Sequence, residues 1–346
     1  CSDGYIGVKN VPDYLKMAGT VITGCDKDEL PDNLVIPDGV TTIDEKAFQQ
    51  CMYLESVVIP GSVKEIGGDY YGRGAFSGCT SLKSVTLAEG VEGIGAGVFE
   101  GCTSLASVTI PESVTEIGGD AFKGCKSLAN ITIPSSVKTI GSGAFNNCTS
   151  LKSVTISEGV KTIGYNAFSG CTSLTSVTIP ESVTEIGNSV FNGCTSLASV
   201  TIPESVTEIG NSVFNGCTSL ASITISANVT EIGDSAFSGS GLKTVTIPKS
   251  VKNISYKAFS YCKSLESVTL SRGVTKIGYG AFQDCTSLKS VTIPRSVTEI
   301  GEYAFYKCDN LTVQYDGTKA QWEAIKKSWS GNYAVRCSDG EFNKQK

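Results

Sequence analysis

The sequence predicts a repeat solenoid, in which about twelve coils of one pattern stack on one another. The main observation is the spacing of phenylalanine, which recurs every 23 residues apart from one step of 28 and one of 22. The second is that residues 176–197 recur unchanged as 199–220. The phenylalanines of the series are Phe48, Phe76, Phe99, Phe122, Phe145, Phe168, Phe191, Phe214, Phe237, Phe259, Phe282 and Phe305. A fixed period favours one tandem array over several unlike domains.

The first part of each repeat is predicted to be a short strand. In one clean unit, Val108 and Ile110 alternate with Ser107 and Thr109. This period-two alternation is typical of a strand with one face turned inward. Pro111 follows at once, and because proline has no N–H it stops the strand from lengthening.

The second part of the repeat brings the chain back to the core. Val114 and Ile117 indicate a second short extended segment, and Gly118 allows a bend after it. Phe122 and Cys125 are spaced as on one helical or 3₁₀ turn. One such unit is too small to bury its inward side chains alone, so the coils must stack and the two ends of the array need caps.

The string LxxVxIPxxVxxIGxxAFxxCxx resembles the leucine-rich repeat of the Treponema-type, or BspA-like, surface proteins of bacteria and protists. The resemblance covers about residues 34–311. It implies a right-handed solenoid with a parallel β-sheet on the concave face and short 3₁₀ or helical turns opposite. It also implies a surface-exposed adhesin or binding protein, without naming a ligand.

The chain is therefore predicted to have three parts: an N-terminal cap or module junction at 1–33, the array at 34–311 and a C-terminal cap at 312–346. Within the last part, Thr318 and Gln321 have the spacing of a capping box. Trp322, Ile325 and Trp329 then follow on one helical face. We expect a helix near 319–329 that covers the last coil.

Two departures from the period have structural consequences. Residues 67–74 carry a five-residue insertion. It must loop outward because the inward positions on either side stay in register. At Ser240 the expected cysteine is missing and the unit is one residue short. An irregular coil is predicted there.

Eleven cysteines occupy one repeat position: Cys51, Cys79, Cys102, Cys125, Cys148, Cys171, Cys194, Cys217, Cys262, Cys285 and Cys308. We interpret them as a column of small buried apolar groups rather than a disulfide or metal framework, since no C-x-x-C pair exists. Cys1, Cys25 and Cys337 lie off the column. A Cys1–Cys25 disulfide is one option for an exported protein. Cys1 either begins a module whose tetrapeptide recurs at Cys337 or carries a lipid anchor.

The outward strand positions form the first candidate binding surface. They carry hydroxyl residues in nearly every coil, including Ser107, Thr109, Thr132, Ser153, Thr155, Ser176, Thr178 and Thr201. One interpretation is a shallow groove for an extended polar ligand. The other is β-propensity alone, since threonine suits an exposed sheet face whatever it binds.

The second candidate surface is aromatic. It comprises Tyr256, Tyr261, Tyr279, Tyr303 and Tyr306, all off the inward positions, and a smaller version on the insertion with Tyr70, Tyr71 and Arg73. Residues 243–311 also carry ten basic against five acidic side chains, within a chain of net charge −6. Tyrosine beside Lys or Arg is typical of interfaces, although these tyrosines could equally cover neighbouring coils.

Composition excludes several function classes. The chain has no histidine and no singular nucleophile or carboxylate pair, so neither an enzyme, a cofactor nor a metal site is expected. The acidic balance argues against nucleic acid, and no apolar run is long enough to span a membrane. We expect an extracellular or cell-surface module that binds a protein or glycan. The alternative is a structural spacer with no specific ligand.

Overall fold

Each coil of the array except the irregular one near Ser240 contains two short strands, as the repeat pattern predicted. The computed structural model describes residues 8, 10–69, 71, 73–328 and 333–342. The chain divides into two compact units, residues 1–174 and 175–346. In both units, the first strands of successive coils form a long-strand row and the second strands form a short-strand row, with parallel pairing in each.

In the first unit, the long-strand row consists of Asn33–Val35, Ser56–Ile59, Ser84–Leu87, Ser107–Thr109, Asn130–Ile133 and Ser153–Ile156. The short-strand row consists of Thr42–Ile43, Glu65–Ile66, Gly93–Ile94, Glu116–Ile117, Thr139–Ile140 and Thr162–Ile163. An antiparallel hairpin, Leu15–Ala18 and Val21–Cys25, precedes them. Its second strand pairs in parallel with Thr42–Ile43 and so begins the short-strand row.

In the second unit, the long-strand row consists of Ser176–Thr178, Ser199–Thr201, Thr244–Ile247, Ser267–Leu270, Ser290–Ile293, Thr312–Tyr315 and Ala334–Cys337. Gly340–Phe342 adds an antiparallel last strand. The short-strand row consists of Glu185–Ile186, Glu208–Ile209, Glu231–Ile232, Asn253–Ile254, Lys276–Ile277, Glu299–Ile300 and Lys326–Lys327. The one helix of the described residues is Lys319–Ala324.

The phenylalanine column is the centre of the core in each unit. All twelve of its side chains are fully buried. Neighbouring rings stack with centroids 5.0–5.6 Å apart from Phe48 to Phe168. From Phe191 to Phe305 the centroid distances are 5.1–5.7 Å. Such offset stacking adds to the burial of the rings, so each coil is held to its neighbours by the residue that defines the period.

The cysteine column is buried, as predicted, and it is also hydrogen-bonded. The Sγ atom of Cys125 donates to the backbone oxygen of Phe99 at 3.2 Å, and Cys285 donates to Phe259 at 3.1 Å. None of the thirteen cysteines from Cys25 to Cys337 forms a disulfide. Burial raises the pKa of the Cys102 and Cys148 thiols to about 12.

Cys25 corrects the predicted boundary of this column. Its Sγ atom lies 3.6 Å from that of Cys51, so Cys25 extends the column into the hairpin. The repeat period could not place it there because the hairpin lies outside the array. Cys1, with its predicted disulfide or lipid anchor, lies outside the described residues.

The predicted helical or 3₁₀ turn around each phenylalanine is wrong. These segments form hydrogen-bonded turns without helix. The reason is visible in the unit of Phe122, where Asp120 has φ of 54° and Gly124 has φ of 72°. Two left-handed residues in one short segment interrupt any right-handed helix.

The C-terminal capping box is confirmed. The backbone N–H of Gln321 donates to Thr318 Oγ1 at 3.3 Å, and the N–H of Thr318 donates to Gln321 Oε1 at 2.9 Å. Trp322 and Ile325 are buried as predicted. Trp329 lies outside the described residues.

The predicted extent of that helix, 319–329, is too long. Ile325 is already extended, with φ of −64° and ψ of 130°. Lys326–Lys327 then pairs in parallel with Glu299–Ile300. The open edge of the short-strand row thus gains a further strand, and this pairing ends the helix after six residues, less than two turns.

Both irregular segments lie where the sequence places them. The insertion closes through the Ala75 N–H, which donates to the Gly67 oxygen at 3.0 Å. In the short unit, residues 222–226 form no strand apart from a bridge between Thr201 and Thr224. Ser240 is nevertheless buried, with its Oγ atom 3.3 Å from Cys262 Sγ, so the hydroxyl takes the place of the missing thiol.

Candidate tyrosine binding surface

Five exposed tyrosines of the second unit form one cluster. We call Tyr256, Tyr261, Tyr279, Tyr303 and Tyr306 the tyrosine cluster; each is 38–45% exposed. The Tyr256 and Tyr279 rings stack with centroids 5.4 Å apart. Tyr279 meets Tyr303 edge to face at 5.4 Å, and Tyr303 meets Tyr306 edge to face at 5.5 Å. The four rings make a continuous aromatic row across three coils.

The fifth tyrosine, Tyr261, makes a polar contact. Its hydroxyl accepts a hydrogen bond from Gln283 Nε2 at 3.5 Å. The sequence predicted that the five tyrosines would be exposed, and this is confirmed. Their mutual ring contacts could not be predicted, since the stacking of the side chains depends on how successive coils are placed.

Two lysines lie on the faces of the outer rings. Lys257 Nζ is 5.1 Å from the centroid of Tyr256, and Lys307 Nζ is 5.4 Å from that of Tyr306. Both distances are within the range of cation–π attraction. Lys307 also pairs with Asp284 at 3.2 Å, and the hydrogen bond to this carboxylate raises the pKa of the ammonium. The surface is therefore aromatic and carries both signs of charge: Lys257 and Lys307 lie on the rings, while Asp284 pairs with Lys307 and Glu302 is hydrogen-bonded to Tyr303.

The backbone under the cluster is left-handed at two positions of each coil. In the first unit these positions hold Lys46, Gln50, Gly78, Gly97, Gly101, Asp120, Gly124, Gly143, Asn147, Asn166 and Gly170. In the coils of the cluster they hold Lys257, Tyr261, Gly280, Asp284, Tyr303 and Lys307, with φ of 51–59°. Glycine, asparagine and aspartate tolerate this conformation, whereas larger side chains make it costly. An alignment of the repeats would have shown from sequence that lysine and tyrosine stand at positions where other coils have glycine.

The hydroxyl positions of the long-strand row are exposed, as predicted. In the first unit these are Ser107, Thr109, Thr132, Ser153 and Thr155, and in the second Ser176, Thr178 and Thr201. Thr132 and Thr155 are register partners on neighbouring strands. Ser153 Oγ donates to Asn130 Oδ1 at 2.6 Å. In each unit we call these exposed side chains the hydroxyl face, and a ligand for it stays a prediction.

The insertion of the first unit carries a smaller aromatic group. Asp69 organises it by accepting the N–H of Tyr71 at 2.9 Å and pairing with Arg73 Nε at 2.7 Å. The guanidinium of Arg73 lies 5.2 Å from the centroid of the Tyr71 ring, which is 82% exposed. Tyr70 lies outside the described residues.

The described residues contain neither a metal-binding group nor a helix that could cross a membrane. Among them, no three or more Cys, Asp or Glu side chains form a group that could hold a metal ion. The single short helix is far below the length that crosses a bilayer.

Comparison with known proteins points to one repeat family. The family model for the BspA-type leucine-rich repeat region matches residues 27–73, 69–198 and 184–312. The crystal structure of a leucine-rich cell surface protein from Faecalibacterium prausnitzii is 31% identical, with a TM-score of 0.56, over 90% of this chain and 94% of that one. A leucine-rich repeat protein from Eubacterium ventriosum is 25% identical over 94% of each chain, with a TM-score of 0.56.

More distant likeness shows the fold alone. The pneumococcal vaccine antigen PcpA is 17% identical over 95% of this chain and 98% of that one, with a TM-score of 0.53. No functionally curated protein matches the chain significantly.

Proposed function

The chain belongs to the BspA-type leucine-rich repeat family, and we propose that it is a non-enzymatic cell-surface module that binds an extracellular protein or glycan through the tyrosine cluster. The relative from Faecalibacterium prausnitzii is a cell surface protein, which supports the extracellular location. The hydroxyl face and the Tyr71–Arg73 group are further candidate contacts of the same module.

The position of the tyrosines and lysines carries this proposal. Lys257, Tyr261, Tyr303 and Lys307 occupy left-handed positions where glycine or asparagine would fold more easily. Tyr256 and Tyr279 add two more rings to the same exposed row. Bulky residues are costly at these positions, which also hold Lys46 and Gln50 in the first unit, and costly local conformations concentrate at functional sites.

The chemistry of the row suits both classes of ligand. Tyrosine offers a broad apolar face with a hydroxyl, and it is enriched where proteins bind other molecules. The lysines at the two ends steer a partner with negative charge toward the rings. The exposed ring faces can pack on a sugar ring or on the side chains of a polypeptide.

The test is a triple substitution of the aromatic row. Tyr256→Ser, Tyr279→Ser and Tyr303→Ser should lower binding to arrays of purified extracellular-matrix proteins and glycans by at least about tenfold, since each lost interface tyrosine costs on the order of 1 kcal/mol or more. The matched control replaces Tyr53 and Tyr165, two exposed tyrosines of the first unit that belong to none of the candidate contacts, by serine. Equal binding of the triple variant and the wild type would remove the cluster from the proposal.

The spacer alternative is favoured by one feature, the identity of residues 176–198 with 199–221. Identical coils are expected in a spacer, because only the length of the array matters to its function. Deletion of 176–198 keeps the repeat in register and leaves the tyrosine cluster in place. A pure spacer should bind neither the matrix-protein array nor the glycan array, before or after the deletion. If our proposal holds, the shortened chain should bind these arrays as the wild type does.

A further inference from the structure

A cavity of about 600 Å³ lies in the second unit, apart from the tyrosine cluster. It is bordered by the ends of the strands Ser267–Leu270, Ser290–Ile293, Thr312–Tyr315 and Ala334–Cys337. Its volume falls within the range of small-ligand pockets. We call it the arginine pocket because Arg272 and Arg336 both line it.

The polar wall of the arginine pocket continues the hydroxyl face. Thr292, Gln314 and Arg336 are register partners on three neighbouring strands. The row of threonines therefore ends in a carboxamide and a guanidinium. Each of these side chains can donate a hydrogen bond into the cavity, and Gln314 and Thr292 can also accept one.

The two arginines keep donors available for a ligand. Arg336 Nε pairs with Glu341 at 3.0 Å, and Arg272 Nη2 pairs with Asp316 Oδ2 at 3.0 Å. Each of these ion pairs engages one guanidinium nitrogen, while the planar group carries five N–H donors. A fork of this shape binds a carboxylate through two parallel hydrogen bonds.

The floor of the arginine pocket is apolar. Leu270 and Tyr315 are 2% and 5% exposed, and Pro294 is also buried. All three line the cavity. Proline and tyrosine rings present flat surfaces on which the C–H face of a sugar ring can pack.

Asp316, which also lines the cavity, and Glu341 balance the charges of Arg272 and Arg336, so the excess of positive charge comes from the adjoining coils. Lys249 and Arg295 occupy the same repeat position as Arg272 in the adjoining coils, and neither forms an ion pair within the described part of the chain. In earlier coils this position holds Glu89, Glu112, Glu158, Glu181 and Glu204. Basic residues occupy this position only in three consecutive coils, and those of Arg272 and Arg295 border the pocket.

We propose that the arginine pocket binds an acidic saccharide, with the sugar carboxylate between Arg272 and Arg336. The ring hydroxyls contact Thr292 and Gln314, and the C–H face of the sugar packs on Pro294 and Tyr315. A uronic acid unit combines these features in one molecule. This site is independent of the tyrosine cluster, so either can fail without the other.

The experiment is a calorimetric titration of the whole chain with methyl β-D-glucuronide and with methyl β-D-glucoside, its neutral match. The glucuronide should bind at least about tenfold more tightly, as expected for charge-assisted hydrogen bonds. Arg272→Gln and Arg336→Gln should each reduce glucuronide binding by about tenfold or more. Arg295→Gln removes the same charge nearby without lining the cavity, and it should bind as the wild type does.

Three results would overturn the proposal. Equal binding of glucoside and glucuronide by the wild type would exclude a carboxylate site without reference to any variant. An equal loss in Arg295→Gln and Arg336→Gln would indicate diffuse charge attraction instead of a pocket. Tighter binding of a tripeptide with a free C-terminus than of its amidated form and of the glucuronide would assign the pocket to a polypeptide end.

Discussion

The Sγ atom of Cys148 donates a hydrogen bond to the backbone oxygen of Phe122, 3.1 Å away and 26 residues earlier in the chain. The same contact recurs along both units, as between Cys217 and Phe191 and between Cys308 and Phe282. The thiols thus join neighbouring coils through the backbone beside the stacked rings. Their chemistry is that of buried hydrogen-bonding groups.

The buried thiols predict a loss of stability at alkaline pH. Burial raises the pKa of Cys102 and Cys148 from 9.0 to about 12. Between these values the unfolded chain has released its thiol protons and the folded chain has not. The free energy of unfolding therefore falls by about 1.4 kcal/mol per pH unit for each such thiol, and it is unaffected by them below pH 9.

Urea unfolding at pH 8, 9, 10 and 11 measures this slope. In the double variant Cys102→Ser and Cys148→Ser, the free energy of unfolding should fall less steeply with pH, by up to about 2.8 kcal/mol per pH unit for the two thiols together. The reason is that a serine hydroxyl does not titrate in this range. Ser240 shows that a hydroxyl fits the column. An unchanged slope in the double variant would contradict the raised pKa values of these two thiols.

The phenylalanine column predicts a large effect of one truncation. Phe145 is fully buried between Phe122 and Phe168, at 5.2 and 5.3 Å. Phe145→Ala should lower the free energy of unfolding by about 3–5 kcal/mol, because it removes a stacked ring and leaves a cavity. Tyr165→Ala, at an exposed aromatic residue of the same unit, should change it by about 0.5 kcal/mol or less. Equal effects in denaturant unfolding would argue against ring stacking as the centre of the core.

The left-handed positions predict a substitution that stabilises the fold and weakens binding. Lys257 has φ of 51° and touches the Tyr256 ring. Lys257→Gly should raise the free energy of unfolding by about 1 kcal/mol, because glycine avoids the clash of Cβ in this conformation. Lys252→Gly, an exposed position outside the left-handed set, should lower it by about 0.4–1 kcal/mol through unfolded-chain entropy.

Thermal unfolding and array binding of the Lys257 and Lys252 variants complete that comparison. Greater stability of Lys257→Gly together with weaker binding is the expected pair of results. If Lys257→Gly were less stable than the wild type, the lysine would contribute to folding through its ring contact, and the argument from backbone cost would fail.

The hydroxyl face predicts loss of an extended ligand without loss of fold. Thr132 and Thr155 are exposed register partners. Thr132→Lys with Thr155→Lys places two long cations across the predicted groove. We expect the circular dichroism spectrum to stay unchanged and binding of a groove ligand to be lost. Thr132→Val with Thr155→Val keeps the β-propensity and serves as the control; unchanged binding in the lysine variant would leave these threonines as sheet-forming residues.

The inward positions of the fold could be predicted from the repeat because burial depends on the periodic apolar pattern within one coil. Phe122, Cys125 and the strand pair Val108 and Ile110 are buried where the pattern places them. The capping box at Thr318 depends on residues three apart and was equally accessible. Local sequence is sufficient for features of this range.

The prediction of helical turns was wrong because the spacing of apolar residues does not determine the backbone conformation between them. The spacing of Phe122 and Cys125 suits a helix, but the period says nothing about the sign of φ at Asp120. The exit of the C-terminal helix into Lys326–Lys327 likewise depends on a strand edge that becomes available only once the preceding coil is folded.

The sequence by itself determined the repeating coil, the buried columns of phenylalanine and cysteine, and the exposure of the tyrosines. These features depend on which side chains are buried on folding, and the apolar pattern of the repeat encodes that. The tertiary structure decided which groups meet: Tyr256 with Tyr279, Cys25 with Cys51, and Arg272 with Arg336 at one cavity. These pairs are 23 or more residues apart. Their contact depends on the backbone dihedrals and stacking of successive coils, which a period of apolar residues does not encode.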